Sequence, residues 1–389
     1  MMKITRRKFS KKGLLLGVGL PLFGTKMISC TSPAESKKPT DEVKPSPLKI
    51  LILGGTSFLG PHQIAYALKR GHTVTTFTRG KTQPTIHTSL FDQVESLIGD
   101  RADNLTALEN RKWDVVIDNS GRNVEWTNKS AELLKDNVEL YLYTSSTGVY
   151  YPYLGNDIGE DTELLMEEPE GIEDEEMKIE YWYGVMKTNS ELAAKNIFGK
   201  DRTILARPTY MIGPGDKSDR FIHWPLRLAQ GGNILVPGKE ADEVQYLDVR
   251  DAAEFMIRLA ESKSSGTYNI VGPQNSQTMY QFVDAAEKDF KSEKTFTYVN
   301  DYDFLIEQNV HHIVPWIMPV GNNVGSAKIN NKRALEQGLT FRPLSQTIKD
   351  TYDWWQSDAL TNERRDKYLK NMETVFNREE AILSAWANK

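Results

Sequence analysis

The glycine-rich segment at residues 54–60 constrains the fold of this chain more than any other feature. It directly follows a short apolar run, residues 48–53, and it precedes an amphipathic run that ends at Gly71. A second β-branched run then occupies residues 73–77. This order predicts a strand, a glycine turn, a helix and a second strand, which together form one βαβ unit.

Such a turn suits a dinucleotide. Because glycine has no β-carbon, the backbone can approach a pyrophosphate, whose charge then lies at the N-terminus of the following helix. A glycine turn alone often only closes a tight corner, but the flanking strand and helix are the context that the binding motif requires. We therefore assign the turn to a dinucleotide cofactor, with contacts from Gly54, Thr56, Ser57, Phe58, Leu59 and Gly60.

The length and charge of the chain narrow the class of protein. It has 389 residues, of which 53 are acidic and 48 basic, so the formal net charge is −5. A chain of this length can form one large α/β domain with a smaller one beside it. The mild negative charge gives no electrostatic reason to expect a nucleic-acid partner.

The N-terminal part has the composition of a targeting segment followed by a tether. Paired arginines precede an apolar run at residues 13–24, which resembles a twin-arginine export signal. Cys30, the only cysteine, lies where a bacterial lipoprotein would be acylated; a cleaved signal with a chance cysteine is the alternative. We expect residues 1–30 to be a signal peptide and residues 31–47 a flexible tether. The protein is then exported, either periplasmic or anchored to a membrane through Cys30.

Two polar residues bear on the choice of cofactor. Arg79 follows the second strand, where an NAD site usually offers an acid to the ribose 2′-hydroxyl. An arginine can instead face a 2′-phosphate or stack on adenine, so the prediction is NAD or NADP, with Arg79 favouring NADP. Asp100 can accept from an adenine amino group, or it can cap a helix over residues 104–108.

Later strands supply the rest of the cofactor edge. A buried strand at residues 113–118 ends in Asn119, Ser120 and Gly121. Open parallel sheets bind ligands at the carboxyl ends of their strands, so this polar end points to the ligand crevice. Strands and helices continue to alternate, which predicts an α/β fold with a doubly wound parallel sheet of the Rossmann type.

The expected domain organisation follows from this pattern. Residues 48–205 form the dinucleotide-binding domain. Residues 206–389 form mainly a smaller α/β substrate lobe and C-terminal helices, with residues 245–273 returning to the first domain.

Three residues in the required chain order are candidates for catalysis. Tyr183 and Lys187 are four apart in a predicted helix, so they lie on one face, one turn apart. A lysine ammonium beside a phenol lowers the tyrosine pKa, and Tyr183 can then accept a hydroxyl proton while hydride leaves the same carbon. Ser146, at the tip of the preceding strand, would hold the substrate oxygen. The Tyr183–Lys187 spacing alone occurs by chance in many chains; the glycine turn and serine-rich strand end make it specific.

The chain resembles the extended short-chain dehydrogenases/reductases of the NAD-dependent epimerase/dehydratase type. The matching motifs are residues 54–60, 145–150, Tyr183-Gly184-x-x-Lys187, Arg207-Pro208, 212–215, 245–251 and 268–272. The resemblance runs from about residue 48 to about residue 355. It implies that Ser146, Tyr183 and Lys187 are catalytic. It also implies cofactor contacts from Asn119, Ser120, Gly121, Tyr183, Lys187 and Pro208.

The chain departs from the family pattern at two places. Ser57 replaces the middle glycine of the turn, a trait of atypical branches, some of which have lost catalysis. Thr147 and Gly148 stand where the dehydratase branch carries an acidic pair, which argues against sugar dehydration. Other segments resemble an atypical branch that includes chloroplast stem-loop RNA-binding relatives.

The remaining sequence bears on the substrate. Residues 160–180 carry eleven acids and one lysine, either a solvated excursion or a rim that repels polyanionic substrates and favours a neutral sugar. Residues 302–325 are the expected substrate cap. Trp224 and Trp316 could stack on a sugar ring, although ordinary core packing is the preferred interpretation. Adjacent histidines and a single cysteine predict no metal site.

These observations predict an NAD(P)-dependent epimerase or oxidoreductase that acts on a hydroxyl or keto carbon of a sugar or sugar derivative. Export would favour a tightly held cofactor and a redox-neutral cycle, since free nicotinamide cofactor is scarce outside the cytoplasm. The expected partners are a carbohydrate substrate and a second copy of the chain in a homodimer, with no nucleic acid and membrane contact only through the lipid anchor. The alternative is a non-catalytic cofactor-binding or RNA-binding scaffold.

Overall fold

A computed structural model describes residues 45–119 and 121–389. The predicted signal peptide, Cys30, most of the tether and Ser120 lie outside the described residues. The strands are β1 (Lys49–Leu53), β2 (Thr73–Thr78), β3 (Glu95–Ile98), β4 (Trp113–Asp118), β5 (Val138–Thr144), β6 (Thr203–Pro208), β7 (Met211–Ile212), β8 (Gly232–Pro237), β9 (Leu247–Asp248), β10 (Gly266–Ile270), β11 (Lys294–Val299), β12 (His312–Ile313) and β13 (Trp316–Ile317).

The helices alternate with these strands through the first half of the described chain. They are α1 (Leu59–Lys69), α2 (Val124–Leu134), α3 (Glu175–Phe198), α4 (His223–Gln230), α5 (Val249–Glu261), α6 (Met279–Ala286), α7 (Tyr302–Glu307), α8 (Lys332–Glu336), α9 (Leu344–Gln356), α10 (Asn362–Leu369) and α11 (Val375–Ala387). None of the helices in the described ranges is both long and apolar enough to cross a bilayer.

Seven strands form one parallel sheet in the order β10-β6-β5-β4-β1-β2-β3. The strand order reverses between β1 and β4, which places a crevice outside the carboxyl ends of these two strands. The prediction of a doubly wound parallel α/β fold is confirmed. The glycine turn and the end of β4 both lie at that crevice.

The sequence of β1 explains why helices cover both faces of the sheet. Ile50 and Ile52 enter a core cluster with α1 and α5, whereas Leu51 and Leu53 enter a second cluster with α2 and α3. All four side chains have no exposed surface. Because successive side chains of a strand point to opposite faces, a continuous apolar run requires a helical layer on each side.

A separate apolar core supports the C-terminal lobe. The parallel pair β8–β11 packs with α4, α6, α9 and α11. Trp224 and Trp316 are fully buried in this core, and their indole N–H groups donate to the Val314 carbonyl and the Asp242 carboxylate. Both tryptophans are therefore core residues, and the sugar-stacking interpretation is wrong. Their burial is explained by satisfied N–H groups, which remove the usual cost of placing an indole in an apolar core.

Candidate active site

The glycine turn has backbone dihedral angles that residues with a side chain rarely adopt. Gly54 and Gly55 have φ values of 98° and 100°, in a region that glycine populates without steric cost. A β-carbon added at Gly60 would lie 2.4 Å from the carbonyl oxygen of Gly55. Glycine at these positions therefore allows the start of α1 to pack directly on the turn.

A cleft of about 510 Å³ opens over this turn. Nine of the residues assigned to the cofactor line it: Gly54, Thr56, Ser57, Phe58, Leu59, Gly60, Arg79, Asp100 and Asn119. Arg79 is exposed at the end of β2. The cleft thus joins the carboxyl ends of β1, β2, β3 and β4, as the crevice of a parallel sheet requires.

The side chain of Asp100 distinguishes its two interpretations. Its carboxylate accepts from the N–H of Ala102 at 3.1 Å, and it lies in the cleft wall. The following helical turn, Thr106–Leu108, has no side-chain cap. The helix-cap interpretation of Asp100 is therefore wrong, because that carboxylate closes its own turn one residue after β3.

Asn119 is held in a fixed orientation at the end of β4. Its amide nitrogen donates to the Gln63 side-chain oxygen at 2.6 Å, and its amide oxygen accepts from the Thr144 hydroxyl at 2.7 Å. Thr144 is the last residue of β5 and also lines the cleft. These bonds connect α1, β4 and β5 across the cleft floor.

The three candidate catalytic residues meet at the end of β5. Gly148 lies between two of them, since an added β-carbon there would be 2.9 Å from the Tyr183 ring and 3.3 Å from the Ser146 hydroxyl oxygen. The Lys187 ammonium, buried at 6 % exposure, donates to the Thr144 carbonyl at 3.0 Å. This bond connects the candidate lysine directly to a residue of the cleft wall.

Burial raises the pKa of Tyr183, and the opposing groups are the Ser146 hydroxyl, Arg220 and Arg122. The predicted net lowering of the Tyr183 pKa is therefore wrong for the protein without bound cofactor, because burial outweighs the groups that favour the phenolate. The Lys187 ammonium lies 6.0 Å from the Tyr183 ring centre but 5.0 Å from that of Tyr143. Burial also lowers the pKa of Lys187 to about 8, which weakens its charge at alkaline pH.

Five described residues of the predicted site lie outside the cleft wall. Ser146, Tyr183 and Lys187 are not in the cleft wall, although Lys187 contacts Thr144, which is. Gly121 packs under the Tyr143 ring, where a β-carbon would be 2.7 Å from the phenol oxygen. Pro208 is buried at the end of β6.

The cleft wall also contains residues that were not assigned to the site from the sequence, among them Lys81, Thr82, Arg101, Arg122, Trp126, Thr144 and Met211. Arg101 donates to the buried Asp118 carboxylate at 2.8 Å and to the Ser130 hydroxyl at 2.6 Å. Arg101 and Arg122 each directly follow a residue that was selected. Both residues lie just beyond the end of a strand, and this position is the sequence signal that could have identified them as cleft residues.

The amino-acid sequence also matches the model of a known protein family. The model of the NAD dependent epimerase/dehydratase family matches residues 50–271, more than half of the sequence. The chain belongs to this family. The matched range contains the glycine turn, Ser146, Tyr183 and Lys187.

One sequence relative and two solved structures show how far the similarity to known proteins extends along the chain. The chloroplast stem-loop binding protein of 41 kDa b from Arabidopsis thaliana is 29% identical over 304 residues, which cover 69% of this chain and 74% of that protein. The enzyme WbmH of Bordetella bronchiseptica, solved in complex with NAD+, superposes with a TM-score of 0.57 at 16% identity, covering 80% of this chain and 99% of its own. UDP-glucose 4-epimerase of Bifidobacterium longum, solved with NAD+ and UDP, gives 0.56 at 15% identity, with 80% and 98% covered. At these identities the two structures show a shared fold.

Within the described residues, no group of three or more histidine, cysteine or carboxylate side chains is arranged to hold a metal ion. His311 and His312 are exposed in the C-terminal lobe, and the second of them belongs to the short strand β12. Neither lies in the cleft over the glycine turn.

Proposed function

We propose that this protein is an NAD(P)-dependent epimerase or oxidoreductase that acts on a hydroxyl or keto carbon of a sugar or sugar derivative. The observation that carries the proposal is the bond from the Lys187 ammonium to the Thr144 carbonyl at 3.0 Å. Thr144 lines the glycine-turn cleft, and Tyr183 lies one helical turn from Lys187. A candidate acid–base pair therefore borders a candidate dinucleotide cleft.

The residues of the cleft fit a dinucleotide. Any side chain at Gly60 would displace the backbone of Gly55, so the turn is kept open for close approach to a pyrophosphate. Asp100 and Arg79 would face the adenosine end, and Asn119 the middle of the cofactor. A bound nicotinamide would supply the hydride acceptor and donor.

Each catalytic residue then has a distinct task. Tyr183 takes the proton of the reacting hydroxyl and returns it, as general base and then general acid. Ser146 donates to the substrate oxygen, and its own oxygen accepts from the N–H of Gly148 at 3.0 Å, which fixes its direction. Lys187 places a positive charge behind Tyr183, and this charge stabilises the phenolate.

Two features support a retained cofactor and a redox-neutral cycle. Lys81 and Thr82 line the cleft. The next residue, Gln83, is held by a hydrogen bond, because its carbonyl accepts from the Lys217 ammonium at 2.9 Å. His87 contacts the buried His62 ring nitrogen at 3.3 Å. These ties resist opening of the cleft, which suits hydride transfer to and from a cofactor that stays bound.

Gly148 supports epimerisation or oxidoreduction over dehydration. A β-carbon at this position would approach the Tyr183 ring to 2.9 Å, which leaves no space for an acidic side chain in the present arrangement. The solved neighbours include UDP-sugar 4-epimerases and enzymes bound to NAD. They support a carbohydrate substrate and NAD, whereas Arg79 favours NADP.

The RNA-binding or scaffold alternative is not favoured. The Arabidopsis relative is named for stem-loop binding. This chain has 53 acidic against 48 basic residues, whereas binding to a phosphate backbone requires a basic surface.

We also propose that residues 1–30 direct export and that Cys30 is lipidated. If so, Cys30→Ala should move the protein from the membrane fraction to a soluble one, since lipidation supplies the anchor. Labelling with a radioactive fatty acid would check the modification, and labelling that persists in Cys30→Ala would contradict it.

The catalytic proposal is tested by incubating the purified protein with UDP-glucose, methyl glucoside or methyl glucuronide, without added cofactor. We expect NMR to detect a new epimer of the reactive compound, formed without net change in absorbance at 340 nm. Activity that depends strictly on added NAD or NADP would contradict the redox-neutral cycle.

A further inference from the structure

A second recess of about 600 Å³ is lined mainly by residues of the C-terminal half of the chain. It is bounded by residues 217–223, by residues 309–314, by residues 364–378 and by Glu176. Most of this wall lies outside residues 50–271, the part that matches the family. We name this cavity the C-terminal recess, because most of its wall comes from the C-terminal lobe.

Arg220 connects the C-terminal recess to the active site. It lines the recess, its guanidinium lies 5.2 Å from the centre of the Tyr210 ring, and it donates to the Met211 carbonyl at 3.2 Å. Met211 in turn lines the glycine-turn cleft. The positive charge of Arg220 also acts to lower the pKa of Tyr183. The two cavities therefore approach each other at this side chain.

Helix α3 sets the length of a ligand that could reach both places. Glu176, in the recess wall, is seven residues before Tyr183 on this helix. Two helical turns correspond to about 10 Å along the axis. A sugar with its reacting carbon at Tyr183 could therefore direct a substituent toward Arg220, the wall residue whose charge acts on Tyr183, whereas reaching Glu176 would take a second sugar unit.

The side chains of the recess carry more positive than negative charge. The cations are Lys217, Arg220, Arg364, Lys367 and Arg378, against the carboxylates Glu176, Asp219 and Glu373. Arg364 donates to Asp219 at 2.6 Å, so these two charges balance. Arg378 donates to the carbonyls of Gln308 and Asn309. Among the described residues, Lys217, Arg220, Lys367 and Arg378 have no carboxylate within salt-bridge distance.

The surroundings of two wall residues support a ligand in this recess. Partial burial, and to a smaller extent the charge of Arg364, lower the pKa of Lys217, whose ammonium donates to the Gln83 carbonyl at 2.9 Å. His223 is 4% exposed, and its Nε2 has no hydrogen-bond partner in the described part of the chain. A buried polar atom of this kind is usually satisfied by a partner, a water or a ligand.

We propose that the C-terminal recess binds an anionic substituent, a carboxylate or a sulfate, of the carbohydrate whose reacting carbon lies at Tyr183. This inference rests on the proposed function and defines its substrate class. It revises the expectation of a neutral sugar drawn from the acidic run, because only Glu176 of that run lines the recess. Arg220 and Lys367 supply the charge, and the exposed side chain of Lys367 leaves its ammonium accessible to the ligand.

Calorimetry on the holo-protein tests the proposal with methyl glucuronide, glucose 6-sulfate and neutral methyl glucoside. We expect at least one anionic sugar to bind roughly tenfold more tightly than the neutral one, as a charge-assisted hydrogen bond provides. Arg220→Gln and Lys367→Gln should each reduce this preference several-fold. Lys370→Gln, three residues further along at the end of the same helix, is the matched control and should preserve it.

The proposal would be overturned by equal affinity for all three sugars, by no binding of any of them, or by a preference unchanged in both recess variants. Binding of uridine diphosphate through the same side chains, without binding of either sugar anion, would also overturn it. Absorbance at 340 nm, which reports reduction of the bound cofactor, distinguishes a failure of the recess proposal from a failure of the proposed reaction. Lys367-dependent binding of an anionic sugar that neither reduces bound cofactor nor yields an epimer would support the recess and reject the redox function.

Discussion

The glycine-turn cleft and the C-terminal recess are built in different ways. The cleft is made largely of backbone and short side chains at the carboxyl ends of adjacent strands, with Gly60 packed on Gly55. The recess is made of long charged side chains from segments that are far apart in the chain, such as Arg220 and Lys367. The cleft therefore follows from a local motif, whereas the recess depends on tertiary packing.

This difference assigns separate tasks to the two cavities. The cleft belongs to the part that matches the family, residues 50–271, and is suited to a ligand common to that family. Most of the recess wall comes from outside that range, and it is suited to what distinguishes one substrate from another. Under the proposed function, Ser146, Tyr183 and Lys187 carry the chemistry at the end of β5, next to Thr144 of the cleft wall.

The largest effect should come from Tyr183→Phe, which removes the proton acceptor and keeps the ring. We expect kcat to fall roughly 10²- to 10⁴-fold, the usual contribution of general acid–base catalysis. Bound dinucleotide and the thermal unfolding temperature should change little. Tyr181→Phe on the same helix is the control, since that ring packs on Tyr151 at 4.8 Å and should leave kcat near the wild-type value. Similar losses in both variants would break the assignment.

Gly60→Ala should damage the cleft and spare the recess. The new β-carbon would meet backbone atoms of Gly55 at 2.4 Å, so the turn must shift at a cost of about 1–3 kcal/mol. We expect loss of most bound dinucleotide by mass spectrometry, with anionic-sugar binding largely kept. Gly159→Ala is the control because an added β-carbon there meets nothing within 4 Å. Retention of full cofactor content in Gly60→Ala would contradict a pyrophosphate at the turn.

The pH dependence of the reaction should report Lys187. Because burial lowers the pKa of Lys187 to about 8, its ammonium loses its proton above that pH. The charge behind Tyr183 then disappears, and kcat/KM should fall by roughly tenfold per pH unit on the alkaline side. Lys187→Arg keeps the charge at higher pH and should move this limb upward. An alkaline limb at the same pH in both proteins would exclude Lys187 as its origin.

The smallest effect should come from Arg79→Ser at the adenosine end of the cleft. We expect affinity for NADP to fall by roughly two- to tenfold, the contribution of an exposed charge to a phosphate contact, with NAD affinity almost unchanged. Fluorescence titration of apo-protein with each dinucleotide measures both values. Arg111→Ser is the control, because Arg111 pairs with Glu95 and lies outside the cleft wall. Equal changes for the two dinucleotides would show that Arg79 does not read the 2′-position.

The sheet was predictable because its signals are local. The apolar run of β1, the glycine turn and the stop at Gly71 lie within a few residues of each other, and their order specifies a βαβ unit. Nine of the residues assigned to the cofactor line the cleft for the same reason. In open parallel sheets, ligands bind at the carboxyl ends of the strands, so these residues could be found from the strand pattern alone.

The pKa of Tyr183 and the recess depend on contacts that no local pattern specifies. The four-residue spacing predicts that Tyr183 and Lys187 share a helix face, but it does not reveal that Lys187 donates to Thr144. The charges that do act to lower the tyrosine pKa, Arg122 and Arg220, come from other segments. For Trp316 the preferred interpretation of core packing is confirmed, but no local pattern reveals that its indole N–H donates to Asp242.

The central claim is that a dinucleotide lies along the glycine turn with its reactive end beside Tyr183. Denaturing the purified protein and measuring released NAD and NADP by quantitative mass spectrometry tests this claim most directly. We expect about one dinucleotide per chain, as a single glycine-turn site provides. Release of no dinucleotide, together with no binding of added NAD or NADP by the native protein, would contradict it.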